Sequence, residues 1–149
     1  MRWPAIIVVA VILLARNSQA NAQERPCTSS EAQRADAEAD TLRSWDALYK
    51  SYKRYGHCDD GGIAEGYSES VARILVDHWN TLSQLASIAN KDAKFLRFVL
   101  NHVNATLNPN DIEKIKLKAT TQCPSGLHAL CGDLIKEAES ALKENNFVD

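Results

Sequence analysis

The chain has 149 residues, of which 45% are hydrophobic and 24% are charged, and its formal net charge is −2. This length fits one domain, and 4 prolines with 6 glycines are too few for a linker-rich or fibrous protein. Nucleic-acid binding relies on an excess of Lys and Arg to neutralise phosphates, and this chain has an excess of acids. The sequence therefore predicts a single globular domain that does not bind nucleic acid.

Residues 1–22 have the pattern of a secretory signal peptide. Arg2 supplies a positive end, an uninterrupted apolar run of 11 residues covers 5–15, and an A-x-A cleavage site stands at 20–22. The run is too short to span a membrane, which takes about 20 apolar residues. Residues 23–149 are therefore expected to form the mature helical domain, periplasmic or secreted, with no membrane contact after cleavage.

Apolar residues recur at helical spacing through almost all of the mature part, which predicts an all-α domain. Thr28 and Glu31 have the spacing of a capping box, which opens a first helix that Gly56 ends. This helix is predicted over residues 29–55, and its early part contributes only alanines to the apolar stripe. We expect residues 23–40 to be attached loosely to the rest of the domain.

The later helices are marked by breaks and caps. A second helix follows a glycine-containing loop and is broken near residue 80, and a third begins at Asn90. A fourth begins at Asn108, where an asparagine cap precedes Pro109 at the first helical position, and Ser125 caps the last helix. No segment of five or more residues alternates with period two, so no strand is predicted. The expected fold is a single five- or six-helix antiparallel bundle, stabilised by disulfides.

Four cysteines follow the predicted cleavage site, and an even number in an exported protein favours two disulfides. They are Cys27, Cys58, Cys123 and Cys131. A straight first helix would separate Cys27 from Cys58 by about 39 Å, so this pair requires a helix that begins late or bends. Cys123 and Cys131 flank a short connection and could close locally; alternatively, Cys58 and Cys123 could join two helix ends. Composition and spacing leave the pairing open.

The loop over residues 57–62, His-Cys-Asp-Asp-Gly-Gly, has the most unusual local composition in the chain. One interpretation is a divalent-cation site built from His57 and the two aspartates, with Glu65 and Glu69 one turn apart on the next helix. The other is a two-glycine turn in which an aspartate caps the following helix. The spacing does not fit an EF-hand, so we assign no metal or other cofactor to this loop.

Two further histidines fall on apolar helical faces. His78 and His102 could meet in the core and bind zinc, or each could be a half-buried residue that donates to a backbone carbonyl. No third ligand has suitable spacing, so no metal is assigned here either. No G-x-S-x-G motif occurs, and disulfide-bonded cysteines cannot act as nucleophiles. We therefore expect no catalytic residues and no enzyme.

Aromatic side chains with polar tips accompany the same loop, and such residues are typical of interfaces as well as of cores. Together with the acids and the glycine turn, they predict a partner-binding face. That face comprises Tyr55, His57, Asp59, Asp60, Glu65 and Tyr67. Its acidic groups are expected to steer the protein toward a basic groove on the partner, which affects the association rate more than the affinity.

Several short motifs give the chain a resemblance to known proteins. They are Tyr55-Gly56-His57-Cys58, the helix over 71–79, the phenylalanine-rich helix over 95–102 and the closing Cys123-Pro124. Over residues 40–131 this pattern resembles small, mostly uncharacterised exported helical proteins of Gram-negative bacteria. More distantly, it is similar to periplasmic immunity proteins that neutralise cell-wall-degrading effectors. The resemblance implies a small helical domain tied by disulfides and carries over no catalytic residue.

These observations together predict an exported, non-enzymatic helical protein that binds another protein, such as an immunity protein or an inhibitor. The alternative is a bundle that binds a small ligand or a divalent metal, through His57, Asp59 and Asp60, or through His78 with His102. The oligomeric state stays open.

Overall fold

The computed structural model describes residues 25–146, so the predicted signal peptide over 1–22 lies outside the described residues. Within that part the chain is all-helical, without strands, as predicted. The helices are α1 (Ser29–Ala39), α2 (Trp45–Tyr55), α3 (Gly61–Asp77), α4 (Leu82–Ala89), α5 (Ala93–Asn101), α6 (Pro109–Thr121) and α7 (His128–Asn145). Short 3-10 turns over Gly56–Cys58 and Trp79–Thr81 flank α3. None of the described helices combines the length and apolar character needed to cross a membrane.

The prediction of five or six helices is wrong in number, because the described residues form seven. The predicted helix over 29–55 is two helices, α1 and α2, separated at residues 40–44. At this break, the buried hydroxyl of Ser70 donates to the Ala39 carbonyl at 2.5 Å and accepts from the Leu42 N–H at 3.0 Å. Ser44 then caps α2 by accepting from the Ala47 N–H. The antiparallel arrangement of neighbouring helices stays a prediction.

Several cap signals have the role that the sequence indicates. Thr28 and Glu31 form the complete capping box at the start of α1, and Asn108 caps α6 ahead of Pro109. The predicted cap at Asn90 is displaced, since the Asp92 side chain accepts from the Phe95 N–H at the start of α5. Side-chain caps therefore replace missing intrahelical hydrogen bonds at several helix starts, whereas α4 and α7 begin without one, so the predicted cap at Ser125 is not present.

One contiguous core joins α1 to α7, and its largest fully buried side chains include Trp45, Tyr67 and Phe95. The most extensive helix pair is α6 with α7, and α1 packs mainly along α3. In α1, Ala35 and Ala39 have almost no exposed surface. The segment for which we expected loose attachment therefore contains a helix that is docked through its alanines.

Two disulfides are present, as predicted, and they join consecutive cysteines: Cys27 with Cys58 and Cys123 with Cys131. The Cα atoms of the first pair are 5.0 Å apart, which is possible because the chain turns back between α1 and α2. The second pair spans the connection from α6 into α7. Of the pairings that the sequence left open, the structure has Cys27 with Cys58, across a bend in the predicted first helix, and Cys123 with Cys131, across a short connection. It excludes the pairing of Cys58 with Cys123.

Candidate functional site

An open cleft of about 520 Å³ lies where α2 ends, the first 3-10 turn follows and α5 begins. Two of the predicted partner-binding residues, His57 and Asp59, line this cleft. Its remaining lining residues are Tyr52, Lys53, Gly56 and Lys94. The cleft is open to solvent and therefore suits a protruding side chain better than an enclosed small molecule.

The two aspartates of the loop have different surroundings. Asp60 is the cap of α3, and its carboxylate accepts from the Gly61 N–H at 2.8 Å. Gly61 has a φ of +53°, a left-handed conformation that favours glycine. The predicted aspartate cap is therefore present, whereas the two glycines lie in the first turn of α3 and do not form a separate turn.

Asp59 contacts His102, the only buried histidine among the described residues. His102 is 4% exposed; its Nδ1 lies 2.7 Å from the Phe98 carbonyl oxygen and its Nε2 lies 3.1 Å from the Asp59 carboxylate. A carbonyl oxygen and an ionised carboxylate can only accept hydrogen bonds. Both ring nitrogens therefore have a polar partner, and the two contacts hold the imidazole between α5 and the loop.

Asp59→Asn and Asp59→Leu are expected to differ in stability because of this arrangement. In Asp59→Asn, the amide N–H can donate to Nε2 while Nδ1 keeps its contact with the Phe98 carbonyl, so both ring nitrogens keep a partner. In Asp59→Leu, Nε2 is left without a partner, at a cost of about 1–3 kcal/mol. Urea unfolding of the parent and both variants measures the difference. Equal midpoints for the two variants would show that the contact contributes nothing to stability.

A second group of charged residues surrounds His57 on the side of α1. Its Nε2 lies 3.1 Å from the Arg25 guanidinium and 3.5 Å from the Glu31 carboxylate, and Arg25 also pairs with Glu31. Hydrogen bonds from the Thr28 hydroxyl and backbone N–H, helped by His57 and Arg25, lower the pKa of Glu31 to about 2. Glu31 is therefore ionised at neutral pH, and the group fixes His57 against the start of α1.

Tyr67 does not reach the surface. Its side chain is completely buried, its hydroxyl shares a 2.8 Å hydrogen bond with the buried Ser51, and its ring stands edge-on to Phe98 and His102. Burial raises the pKa of the Tyr67 hydroxyl above its ordinary value. Tyr67 supports the loop from below and cannot itself touch a partner.

The other two predicted residues lie on separate helices. Tyr55, at the end of α2, is half-buried, and the Arg54 guanidinium lies 5.4 Å from its ring centroid. Glu65 is exposed, one turn into α3, and is not among the residues that line the cleft. The candidate face therefore consists of exposed or half-exposed groups at Tyr55, His57, Asp59, Asp60 and Glu65.

Sequence reasoning missed three features of the cleft: Lys53, Lys94 and the role of Gly56. Nothing in the sequence around Lys53 marks it as a site residue, and Lys94 lies 41 positions further along the chain. A Cβ on Gly56 would lie 2.8 Å from the Tyr52 ring, so glycine is needed for that ring to form the cleft floor. The proximity of Gly56 to a tyrosine one turn earlier is the only sequence signal of this contact.

His78 and His102, which could meet in the core according to the sequence, have different surroundings. His78 is exposed at the end of α3, whereas His102 is buried against Asp59. Across residues 25–146, no group of three or more His, Cys, Asp or Glu side chains is arranged to hold a metal ion. The two histidines therefore do not form a pair in the core, which the zinc hypothesis requires.

Comparison with known proteins adds no relative: no family model, no curated protein and no solved structure matches this chain. The class that the fold itself defines is a small all-helical domain with two disulfides.

Proposed function

We propose that this chain is an exported, non-enzymatic protein that binds another protein, as immunity proteins and inhibitors do, and that it works in the periplasm or outside the cell. Two disulfides support an oxidising compartment, because such bonds do not persist where thiols are kept reduced. The predicted signal peptide over 1–22 supports the same location. The proposed contact surface is the exposed part of the loop over 57–62 with Tyr55 and Glu65.

The observation that carries this proposal is the number of independent attachments that hold one exposed loop. Cys58 forms a disulfide with Cys27, and the Asp59 carboxylate contacts His102. The Asp60 side chain accepts a hydrogen bond at the start of α3, and His57 contacts Glu31 of α1. A loop held in one conformation loses little entropy when it binds, so more of its contact energy appears as affinity. Rigid presentation of polar groups is typical of inhibitor loops and similar recognition surfaces.

The surroundings of the histidines support recognition over catalysis. A catalytic histidine needs a ring nitrogen that can exchange a proton with substrate or nucleophile. Both nitrogens of His102 are engaged with Phe98 and Asp59, and Nε2 of His57 faces Arg25 and Glu31. Three of the four nitrogens of these two imidazoles are therefore engaged by groups of the protein itself.

The test is a pull-down from periplasmic extract, followed by binding assays with the purified partner. Tyr55→Ala with Glu65→Lys changes the proposed surface, and Glu144→Lys on α7 is the control with the same charge change. We expect the surface variant to lose the partner and the control to keep it. For an immunity protein, the partner is an exported toxin that the parent chain inhibits at equal concentration. Recovery of one partner equally by all three proteins would refute the surface.

A further inference from the structure

The cleft beside the loop is rich in hydrogen-bond donors and has few free acceptors. Lys53 stands on α2 and Lys94 on the first turn of α5, so ammonium groups line it from two different helices. Each ammonium has three donors and no acceptor. Lys53 reaches the Asp92 carboxylate at 3.4 Å but is still 58% exposed, and Lys94 is exposed and makes no ion pair within residues 25–146.

The carboxylates nearby are already used by the fold. Asp59 faces His102, and its side chain is 24% exposed. Asp92 caps α5, accepts from the Tyr49 hydroxyl and meets Lys53. These two acids therefore have little capacity left for a ligand, whereas the lysines have unsatisfied donors. The cleft thus offers free donors to a ligand, although the chain as a whole carries a net charge of −2.

The floor and the rim give the cleft a definite shape. Tyr52 packs on Phe95 and Phe98 with ring centroids 5.3 and 4.8 Å apart, so its position is fixed from below. Gly56 leaves room for the ring, and His57 is fixed by the contacts that it makes with Arg25 and Glu31. The site therefore has a rigid aromatic floor between two cationic walls, and it is open toward an approaching surface.

We propose that this cleft is the anchor point of the partner interface and receives the carboxylate of a Glu or Asp side chain from an acidic segment of the partner protein. This inference rests on the proposed function and reverses the partner charge that the loop acids alone suggest. The methylenes of the acidic side chain lie on Tyr52, and its carboxylate accepts from Lys53 and Lys94. Salt weakens the contact, because both ammonium groups are near solvent.

The test uses a fluorescent eight-residue Glu-rich peptide as the probe, with a Lys-rich peptide of equal length as the charge control. Binding is followed by fluorescence anisotropy at low salt and by amide chemical shifts in an NMR titration. We expect the acidic peptide to bind weakly, with a dissociation constant on the order of 0.1–1 mM. The shifts should centre on Gly56, His57 and Lys94.

Matched variants locate the contact. Lys53→Glu with Lys94→Glu should weaken acidic-peptide binding by at least about tenfold. Lys136→Glu with Lys143→Glu, on α7, has the same total charge and should change it less than about twofold. Equal loss in both double variants, tighter binding of the Lys-rich peptide, or the same shifts with inorganic phosphate but none with the acidic peptide would overturn the proposal.

The cleft proposal can be refuted while the proposed function still holds. If the pull-down recovers a partner whose binding survives Lys53→Glu with Lys94→Glu, the protein-binding function holds and the cleft proposal is wrong. Circular dichroism of each double variant confirms that the helices are intact, so a loss of binding reports the site and not the fold.

Discussion

Removing the Cys27–Cys58 disulfide is expected to destabilise the protein more than removing Cys123–Cys131. A disulfide limits the unfolded chain more when it closes a longer loop, and the two sequence separations are 31 and 8 residues. The chain-entropy relation gives about 3.7 kcal/mol for the first bond and about 2.5 kcal/mol for the second. The first bond also holds the start of α1 against the loop that carries the candidate site.

The comparison is well matched, because each pair contains one buried cysteine, Cys58 or Cys131, both 3% exposed. Cys→Ala at both positions of each pair therefore creates a similar small void. The free energy of unfolding in urea measures the two costs, and hydrogen exchange follows the amides of α1. A larger cost for the pair at 123 and 131 would mean that loop length does not decide the outcome here.

Gly66→Val is expected to cost between about 1 and 3 kcal/mol by overpacking the contact between α3 and α1. A Cβ at Gly66 would lie 2.9 Å from the Ala39 Cβ and 3.2 Å from the Asp40 backbone nitrogen. These neighbours are a short side chain and backbone, so neither can rotate away. The variant should loosen α1 and the disulfide-anchored segment before it.

The control is Gly132→Val, in α7, because a Cβ there meets no atom within 4 Å. Both changes replace a helical glycine by the same residue, so helix propensity contributes equally to both. We expect Gly132→Val to be neutral or slightly stabilising and Gly66→Val to lower the thermal midpoint clearly. Similar midpoints would show that α1 can move aside without loss, and that its alanine contact with α3 is not needed.

Local sequence signals predicted much of the fold. The capping box at Thr28 and Glu31 and the Asn108-Pro109 start act within a few residues of themselves, and both are present as expected. The break between α1 and α2 was not predicted, because the hydroxyl that satisfies the freed backbone groups belongs to Ser70, 28 positions from Leu42. Spacing along the chain does not reveal a hydrogen bond of that kind.

The candidate site was predictable only in part, for the same reason. The loop over 57–62 was identified by its composition, but Asp59 meets His102 across 43 positions, and Lys94 joins the cleft from α5. Tyr67 was included in the partner-binding face for its polar aromatic tip, although such residues are typical of cores as well as of interfaces. Its burial against Ser51 follows from how α3 packs, which no local pattern determines.

The order of the disulfides along the chain has a consequence for biogenesis. Each cysteine is bonded to its nearest neighbour in sequence, 27 to 58 and 123 to 131. Under the proposed export, the chain would emerge amino terminus first and would present both members of the first pair before either member of the second. An oxidase that acts on thiols as they appear would therefore produce the native connectivity directly, and an isomerase would have nothing to correct.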